Sequence, residues 1–506
     1  MEKYAIIMVN ASHAKLVIAE VKNGIYFVVR DAEIEGVKLG LDMGKDLFLK
    51  KPQIEATINT LKSYKKICDM NGVTKIFALA DFAEQNKPKN LYSFFDEVFT
   101  VTGFKFELLN DETQNTLLYR AIINTMDIPK GLIVDINADN IHIIHYNRRN
   151  ILNSVVLPFG ANTLLETFPL EELGKEGQEE NIRIYLDNRL EELDFLSNLE
   201  DDITFIGTGM LFGDISKMVK KLKKYPVDIE RGYVMSVSDI TVVHEQIKPL
   251  LLDKTRKLRG TSEARADVFA VSLIIAEELA KSAKLDSITV GTASIIEGTL
   301  FEQAIPATLE KPISDVLGFS LVGQTSYFDQ ANEKHNEQIY NLSMLLFKQL
   351  RVLHKLPRGY IKVLRAAAYL HDMGERVNFY NHAKLAFAGI VGSDIYGLTH
   401  REIVLSAFVV SLHQGGDLLA SDWVRYAGIL TDEDIDAVKK LGIILQIAEA
   451  FDRTKNSVII DINCDILGDS VIMKTEANGD NYYEIKKALE CYREFEKNFH
   501  KKLEIL

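Results

Sequence analysis

Short apolar runs separated by polar turns fill the first half of the chain. YAIIMV, AKLVIAEV and GIYFVVRD predict three strands joined by tight turns, followed by a helix at about 51–70 and the buried strand KIFALA. The same order returns after Pro129, with GLIVDI, NIHIIHY and ILNSVVLP, a helical stretch at roughly 162–195, and DITFIG. The repetition predicts an internal duplication of a β-β-β-α unit. Two unrelated hairpins in an α/β protein are the alternative interpretation.

The second half has the period of helices instead. From about residue 305, four stretches place apolar residues at helical spacing: KHNEQIYNLSMLLFKQLRVLH, GYIKVLRAAAYLHD, HREIVLSAFVVSLH and DIDAVKKLGIILQIAEAFDR. SVIIDINCDI and DSVIMKT then return to strands, and an amphipathic helix closes the chain. We therefore predict four domains, at residues 1–125, 126–304, 305–457 and 458–506.

The composition is that of a globular protein without membrane or nucleic-acid features. Of the 506 residues, 47% are hydrophobic and 26% are charged, and no uninterrupted apolar run approaches the roughly 20 residues of a membrane span. The net charge of -13, without a basic tail, argues against nucleic acid as the main partner. Three scattered cysteines and the lack of a signal-peptide pattern predict a cytoplasmic location. Phosphate ligands stay open, because backbone amides can hold them.

Several stretches, taken in their order and spacing, resemble one family over essentially the whole chain: LPFGANTLLETF, FIGTG, ARADVFAVSLIIAEEL, IIEGTLFE, AAAYLHDMGERVNFYNHAKLAFAGI and ALECYREFEKNFHKKLEI. The chain resembles the exopolyphosphatase/guanosine pentaphosphate phosphohydrolase family. The resemblance implies two actin-like (ribonuclease H-like, ASKHA) α/β domains, an all-helical HD-like domain and a small C-terminal α+β domain. It also implies hydrolysis of a terminal phosphoanhydride with Mg²⁺ in a cleft, polyphosphate or guanosine polyphosphate as the ligand, and a homodimer.

Two hairpin turns that cradle phosphate in this family are altered here. The first turn of the family resembles Asp-Ile-Gly-Ser-Asn-Ser, whereas this chain has Met8 at the aspartate and Asn10 at the glycine, followed by Ala11. The second resembles Asp-Ile-Gly-Gly-Gly-Ser-Thr-Glu; Asp135 is kept, and the glycines and the final glutamate become Asn137, Ala138, Asp139 and His142. Methionine is a poor ligand for Mg²⁺, and side chains crowd a turn whose backbone should approach phosphate.

Other catalytic positions implied by the resemblance are also replaced. The family's catalytic glutamate, 22 residues ahead of the second-turn aspartate, falls on Thr113, and the adjacent Glu112 points about 100° away on a helix. The two family arginines fall on Ala83 and Ile296. The remaining candidates for phosphate contact are Gly207, Thr208, Gly209 and Arg265.

These replacements favour a cleft that is weakly active or inactive as a hydrolase. Loss of a general base alone costs about 10²–10⁴ in rate. We expect such a protein to bind a phosphate polymer or a nucleotide, or to act as a regulator. In the alternative, Glu112, Asp135, Asp139 and His142 form the rearranged metal site of an active hydrolase, although these residue types are also common in ordinary turns.

Histidines in the second half suggest another site. His371-Asp372 ends an apolar helical run, as the His-Asp pair of HD phosphohydrolases does. That likeness implies metal ligands at His335, His371, Asp372 and one of Glu449 or Asp452, to which His382 and His413 can add. Imidazole and carboxylate suit Mn²⁺, Fe²⁺ or Zn²⁺, and a bound metal can activate water against phosphate esters. Core histidines that only make hydrogen bonds are the alternative.

Overall fold

The structure is a computed structural model, and it describes residues 2–22, 26–40, 42–44, 46–168, 178–247, 268–305, 312–326 and 330–506. Its internal contacts divide the chain into two compact units. The first unit comprises residues 1–224 and 230–316, and the second comprises residues 225–229 and 317–506. The first unit therefore holds the two predicted α/β domains, and the second holds the predicted helical and C-terminal domains. The finer boundaries inside each unit remain predictions.

The first sheet of the first unit has five strands in the order β3-β2-β1-β4-β5. Its strands are β1 (Glu2–Asn10), β2 (Ala14–Lys22), β3 (Tyr26–Glu35), β4 (Lys75–Asp81) and β5 (Phe106–Leu108). The first three pair antiparallel, whereas β4 adds parallel to β1 and β5 adds parallel to β4. The helices of this half are α1 (Lys51–Asn71), α2 (Leu91–Thr102) and α3 (Asp111–Ile123), with a short 3₁₀ turn at Glu84–Asn86.

The second sheet repeats this arrangement. Its strands are β6 (Lys130–Ile136), β7 (Ile141–Asn147), β8 (Asn150–Leu157), β9 (Thr204–Thr208), β10 (Val234–Ser236) and β11 (Ser287–Val290), in the order β10-β11-β9-β6-β7-β8. Again the first three pair antiparallel, while β9 and β11 continue parallel from β6. The order β8-β7-β6-β9-β11 thus matches β3-β2-β1-β4-β5, and the predicted duplication is present.

Helices cover the second sheet and position its turns. They are α4 (Ala161–Thr167), α5 (Gln178–Glu191), α6 (Asp194–Ser197), α7 (Gly209–Leu222), α8 (Val237–Ile247), α9 (Phe269–Ser282) and α10 (Ile295–Ala304). The local sequence explains where α10 begins, because Ser294 and Glu297 form a reciprocal capping box at its N-terminus. α9 is buried along nearly its whole length, which fits the apolar run FAVSLIIA.

The second unit packs helices and a small sheet around one core. Its helices are α11 (Val316–Gln324), α12 (Gln330–Gln349), α13 (Arg351–His354), α14 (Tyr360–Leu370), α15 (His382–Val391), α16 (His400–Leu412), α17 (Ala420–Val424), α18 (Asp432–Ala450), α19 (Tyr482–Leu489) and α20 (Tyr492–Phe499). β12 (Ile459–Ile466), β13 (Ser470–Ala477) and β14 (Lys502–Ile505) form its three-stranded sheet. Val227 and Ile229 join this core, which explains why residues 225–229 belong to the second unit. Within the described ranges, no helix has both the length and the apolar character needed to cross a bilayer.

Candidate functional site

The first hairpin turn, between β1 and β2, satisfies its own backbone amides. The Oδ1 atom of Asn10 accepts hydrogen bonds from the backbone N–H groups of Ser12 (2.9 Å) and His13 (2.7 Å). On the other side of the turn, the Ala11 carbonyl accepts from the Gly40 N–H at 2.8 Å. Amides that could hold a phosphate oxygen are therefore bonded to a side chain that stands where the family has glycine.

The second hairpin turn, between β6 and β7, is likewise closed. Asn137 donates from Nδ2 to the carboxyl of Asp135 (3.4 Å) and to Oδ1 of Asn140 (3.1 Å). The Ala138 carbonyl accepts from the Asn162 N–H at 2.8 Å, in the first turn of α4. A backbone amide at the start of this helix, which could have bound an anion, is thus hydrogen-bonded to the turn itself.

The loop from β9 into α7 also faces inward. The hydroxyl of the fully buried Thr208 donates to the Ala293 carbonyl at 2.6 Å. Gly209 has a φ of +83°, and a Cβ atom built there would lie 2.2 Å from Oδ1 of Asp135. Glycine is needed here because the backbone passes directly over the carboxyl group, in a conformation that other residues rarely adopt.

Among the described residues, carboxyl groups of the two sheets lie close together in the cleft. Burial is the main cause of a pKa of about 7 for Asp135; the Asn137 hydrogen bond and the charge of Lys15 lower this pKa, and the nearby Asp81 raises it. Burial also raises the pKa of Asp81 to about 6, with Asp139 adding to the effect. Such a site disfavours a polyanion, because the pKa shifts reflect surroundings that already oppose negative charge. Sequence reasoning missed Asp81; its signal was an acid at the end of KIFALA, the strand beside β1.

The remaining cleft candidates do not converge on Asp135 as a metal site. Glu112 and Thr113 are exposed in the first turn of α3. His142 is opposite Asp135 in the β6–β7 pair, but it is fully buried and its Nδ1 lies 2.8 Å from Oδ1 of Asn115. Burial lowers the pKa of His142 to about 4. Among the described residues, no group of three His, Cys, Asp or Glu donors includes any cleft candidate, and Arg265 lies outside those residues.

The second unit brings its sequence-predicted residues together. His335 lies in α12, whereas four others lie at or just beyond the ends of α14, α15 and α16: His371, Asp372, His382 and His413. All five are at most 5% exposed. We call these five residues the histidine cluster. Ligand atoms of His335, His371 and Asp372 lie within 4.8 Å of one another.

All four imidazoles of the histidine cluster are held in the same orientation. In each, Nδ1 faces an oxygen that can only accept a hydrogen bond. The pairs are His335 with Asp452 Oδ2 (2.7 Å), His371 with the Ala368 carbonyl (2.8 Å), His382 with the Phe379 carbonyl (2.7 Å) and His413 with the Val410 carbonyl (2.5 Å). In a neutral ring, such a bond places the proton on Nδ1 and leaves a lone pair on Nε2. Metal-ligating histidines are oriented in this way by carbonyl and carboxylate partners.

Acceptors therefore face acceptors inside the cluster. Nε2 of His371 is buried without a hydrogen-bond partner, and it lies 3.3 Å from Oδ1 of Asp372. Burial lowers the pKa of His371, which favours the neutral ring. Burial would raise the pKa of Asp372, but nearby positive charge, including that of Lys455, lowers it. A lone pair opposite a carboxylate in a buried place calls for a cation, and imidazole with carboxylate is the donor set of Mn²⁺, Fe²⁺ or Zn²⁺.

The two carboxylates of the later helix have different surroundings. Both oxygens of Asp452 are occupied, Oδ2 by His335 and Oδ1 by the Ser457 N–H at 2.7 Å. Oε2 of Glu449 instead lies 3.6 Å from Nε2 of His413. In this geometry Asp452 orients a histidine, and Glu449 is the carboxylate that faces the donors. Lys455, which the sequence did not single out, places Nζ 3.4 Å from Oδ2 of Asp372.

Comparisons with known proteins agree with the fold of the first unit. The model of the Ppx/GppA phosphatase family matches residues 17–305. A bifunctional 3-dehydroquinate synthase/phosphatase of Fusobacterium nucleatum is 25% identical over 314 residues, which are 59% of this chain and 46% of that protein. The chain thus spans about half the length of this curated relative.

Two solved structures each resemble about three-fifths of the chain. A Ppx/GppA family member from Aquifex aeolicus has a TM-score of 0.54 and 20% identity, and the alignment covers 61% of this chain and 99% of that one. An exopolyphosphatase from Cytophaga hutchinsonii has a TM-score of 0.56 and 21% identity, with 60% and 98% covered. At these identities the likeness shows the fold alone. Because the family model spans more than half of its length, this protein belongs to the Ppx/GppA phosphatase family.

Proposed function

We propose that this protein is a metal-dependent phosphohydrolase that works from the histidine cluster, and that its actin-like cleft no longer hydrolyses phosphoanhydrides. One observation carries the proposal. Four buried imidazoles are oriented through Nδ1 by groups that only accept hydrogen bonds, and their ligand atoms form two sets that share Asp372. A purely structural set of histidines would be expected to pair these nitrogens with donors.

The residues in and around the cluster would have different roles in metal and substrate binding. His335, His371 and Asp372 would hold a divalent transition metal, which supplies Lewis acidity and lowers the pKa of a bound water. Asp452 keeps the His335 ring in its binding tautomer. Lys455 is placed to meet a phosphate oxygen, because its side chain is 30% exposed while its ammonium group already reaches the cluster.

The substrate class follows from the family and from the cluster together. Ppx/GppA membership and the resemblance to exopolyphosphatases favour polyphosphate or a guanosine polyphosphate. A metal with a neighbouring lysine suits the terminal phosphate of such chains.

A silent binder of phosphate in the cleft is the competing proposal. The preserved fold of both sheets supports it. The occupied amides of the first turn and the raised pKa values of Asp81 and Asp135 argue against it, because a polyanion would have to break the turn's own hydrogen bonds and approach carboxyl groups.

The test is phosphate release by the full chain, after chelation and reloading with Mg²⁺, Mn²⁺, Fe²⁺ or Zn²⁺. Polyphosphate and guanosine pentaphosphate are the substrates. We expect release with a transition metal, and loss of release in His371→Gln to the level of the chelated protein. Asp135→Asn should retain the wild-type rate.

A control separates the cluster from general damage to the second unit. His354 is also a buried helical histidine there, but it bonds the Phe347 carbonyl outside the cluster. His354→Gln should therefore keep activity and metal content. Release that survives His371→Gln but not Asp135→Asn would place hydrolysis in the cleft and refute the proposal.

A further inference from the structure

We infer that the histidine cluster binds two metal ions, with Asp372 shared between them. The inference deepens the proposed function and rests on it for the chemistry, but not for the second ion. The second set of donors consists of Asp372, His382 and His413, whose ligand atoms also lie within 4.8 Å of one another. All three residues are buried, and the two histidines are distinct from His335 and His371 of the first set.

Two facing nitrogens carry the argument for the second ion. Nε2 of His382 lies 3.1 Å from Nε2 of His413. Because both rings donate from Nδ1 to backbone carbonyls, of Phe379 and Val410, both facing atoms bear lone pairs. Two lone pairs at this distance, away from solvent, repel each other unless a cation lies beside both of them.

In the contacts described, neighbouring side chains do not supply a hydrogen-bond donor to both of these nitrogens. The Gln414 amide nitrogen lies 3.2 Å from Nε2 of His382 and can donate to that one atom. In the contacts described, Nε2 of His413 faces Nε2 of His382 and, at 3.6 Å, Oε2 of Glu449, which is beyond hydrogen-bond distance. Glu449 therefore completes a set of two imidazoles and two carboxylates, a number of donors that suits a transition metal.

A single carboxylate oxygen connects the two sets. Oδ1 of Asp372 lies 3.3 Å from Nε2 of His371 and 3.6 Å from Nε2 of His382. An oxygen in this position can serve both ions, and paired catalytic metals typically lie about 3.5–4 Å apart.

The second ion would change the net charge of the centre and therefore the kind of substrate that it attracts. Among the proposed ligands, only Asp372 and Glu449 carry negative charge, because a carboxyl group loses its proton when it binds a metal. One divalent ion would only balance those two negative charges, whereas two divalent ions leave a net charge of about +2. The second ion thus makes the centre attractive to a dianionic terminal phosphate, with Lys455 adding further positive charge.

The experiment counts metal in the full chain loaded with Mn²⁺ and desalted. We expect two Mn²⁺ ions per chain by elemental analysis, and an electron paramagnetic resonance spectrum showing magnetic coupling between them. His413→Gln should lower the content to one ion and abolish the coupling. His382→Gln is the second variant, in case the first does not fold, and His354→Gln is the control that should keep both ions.

The outcomes separate this inference from the proposed function. One ion per wild-type chain, unchanged in His413→Gln and lost in His371→Gln, would overturn the second ion and leave the proposed function standing. No bound ion would overturn both, and would mean that a shared proton lies between His382 and His413. Two ions that both survive the His382 and His413 substitutions would place the second ion elsewhere and refute the inference.

Discussion

The cleft turns and the histidine cluster both bury polar groups, and they differ in how those groups are satisfied. In the cleft, Asn10 bonds the amides of its own turn, and Asn137 bonds Asp135. In the cluster, Nδ1 of each ring is bonded to an acceptor, and the Nε2 atoms of His371, His382 and His413 face nitrogen or carboxyl oxygen atoms. A region whose polar groups satisfy one another has no need of a ligand. A region that leaves lone pairs buried against a carboxylate requires a cation to be stable.

Removing metal is the change that should separate the two regions most. If the cluster binds its ion tightly, chelation should lower the free energy of unfolding by about 4 kcal/mol when free metal had been near 1,000 times its dissociation constant. Thermal unfolding with and without chelator measures this. His371→Gln should respond less to the chelator than the wild type does, because it lacks a ligand of the first ion, whereas Asp135→Asn should respond like the wild type. If chelation lowered the stability of both variants equally, the cleft and the cluster would not differ in their need for metal.

The pH dependence of the unfolding free energy tests whether the buried Asp135 carboxyl group of the cleft lacks a cation. The folded Asp135 carboxyl keeps its proton to about pH 7, whereas the unfolded chain loses it near pH 3.8. The folded state therefore binds more protons in this window, and its stability falls as the pH rises through it. Asp135→Asn should remove that loss and gain roughly 2–4 kcal/mol over the wild type by pH 8, with little difference near pH 3.

Chemical denaturation of both proteins at several pH values measures this difference. The metal content of both should be the same. A variant that is less stable than the wild type at pH 8 would show that the ionised Asp135 is held by a cation, as an active cleft requires.

The orienting role of Asp452 gives a smaller effect. Asp452→Asn should weaken metal binding by about 10–100-fold, the usual cost of losing an outer partner of a ligating histidine. Competition against a coloured chelator measures the affinity. Asp434→Asn is a matched control, since Asp434 is equally buried in α18 but bonds Arg401 and Tyr360. A complete loss of the ion in Asp452→Asn would instead make Asp452 a direct ligand.

The smallest effect is expected at the first turn. Asn10→Ala leaves the amides of Ser12 and His13 to bond water, since both residues are partly exposed, and should cost about 1 kcal/mol of stability. Inorganic phosphate should not bind the wild type at millimolar concentration, as followed by calorimetry. Phosphate binding that improves in Asn10→Ala would sharpen the comparison, because it would show that only the asparagine keeps the cradle closed.

The duplicated fold could be predicted because it is encoded locally. The alternation in GLIVDI and YAIIMV, and the turn residues that follow, set each strand and its hairpin. The His371-Asp372 pair was also visible, because it ends an apolar helix. The sequence could not choose between Glu449 and Asp452, which stand three residues apart near the end of α18. That choice depends on which carboxylate meets His335 in space.

Other features depend on contacts between distant parts of the chain. The pKa of Asp135 depends on Asp81, which belongs to the other sheet. The tautomers of the four histidines depend on backbone carbonyls and on Asp452, which sequence patterns do not reveal. His142 illustrates the same limit: its spacing suggested a cleft ligand, and burial against Asn115 turned it inward.

The most direct test of the account is anomalous diffraction at the metal absorption edge, from crystals of the full chain grown with Mn²⁺ or Zn²⁺. The account predicts strong anomalous density beside Asp372 and Nε2 of His371, with none beside Asp135. Density beside Asp135 or Asp81, with none in the histidine cluster, would contradict it and return the reaction centre to the actin-like cleft.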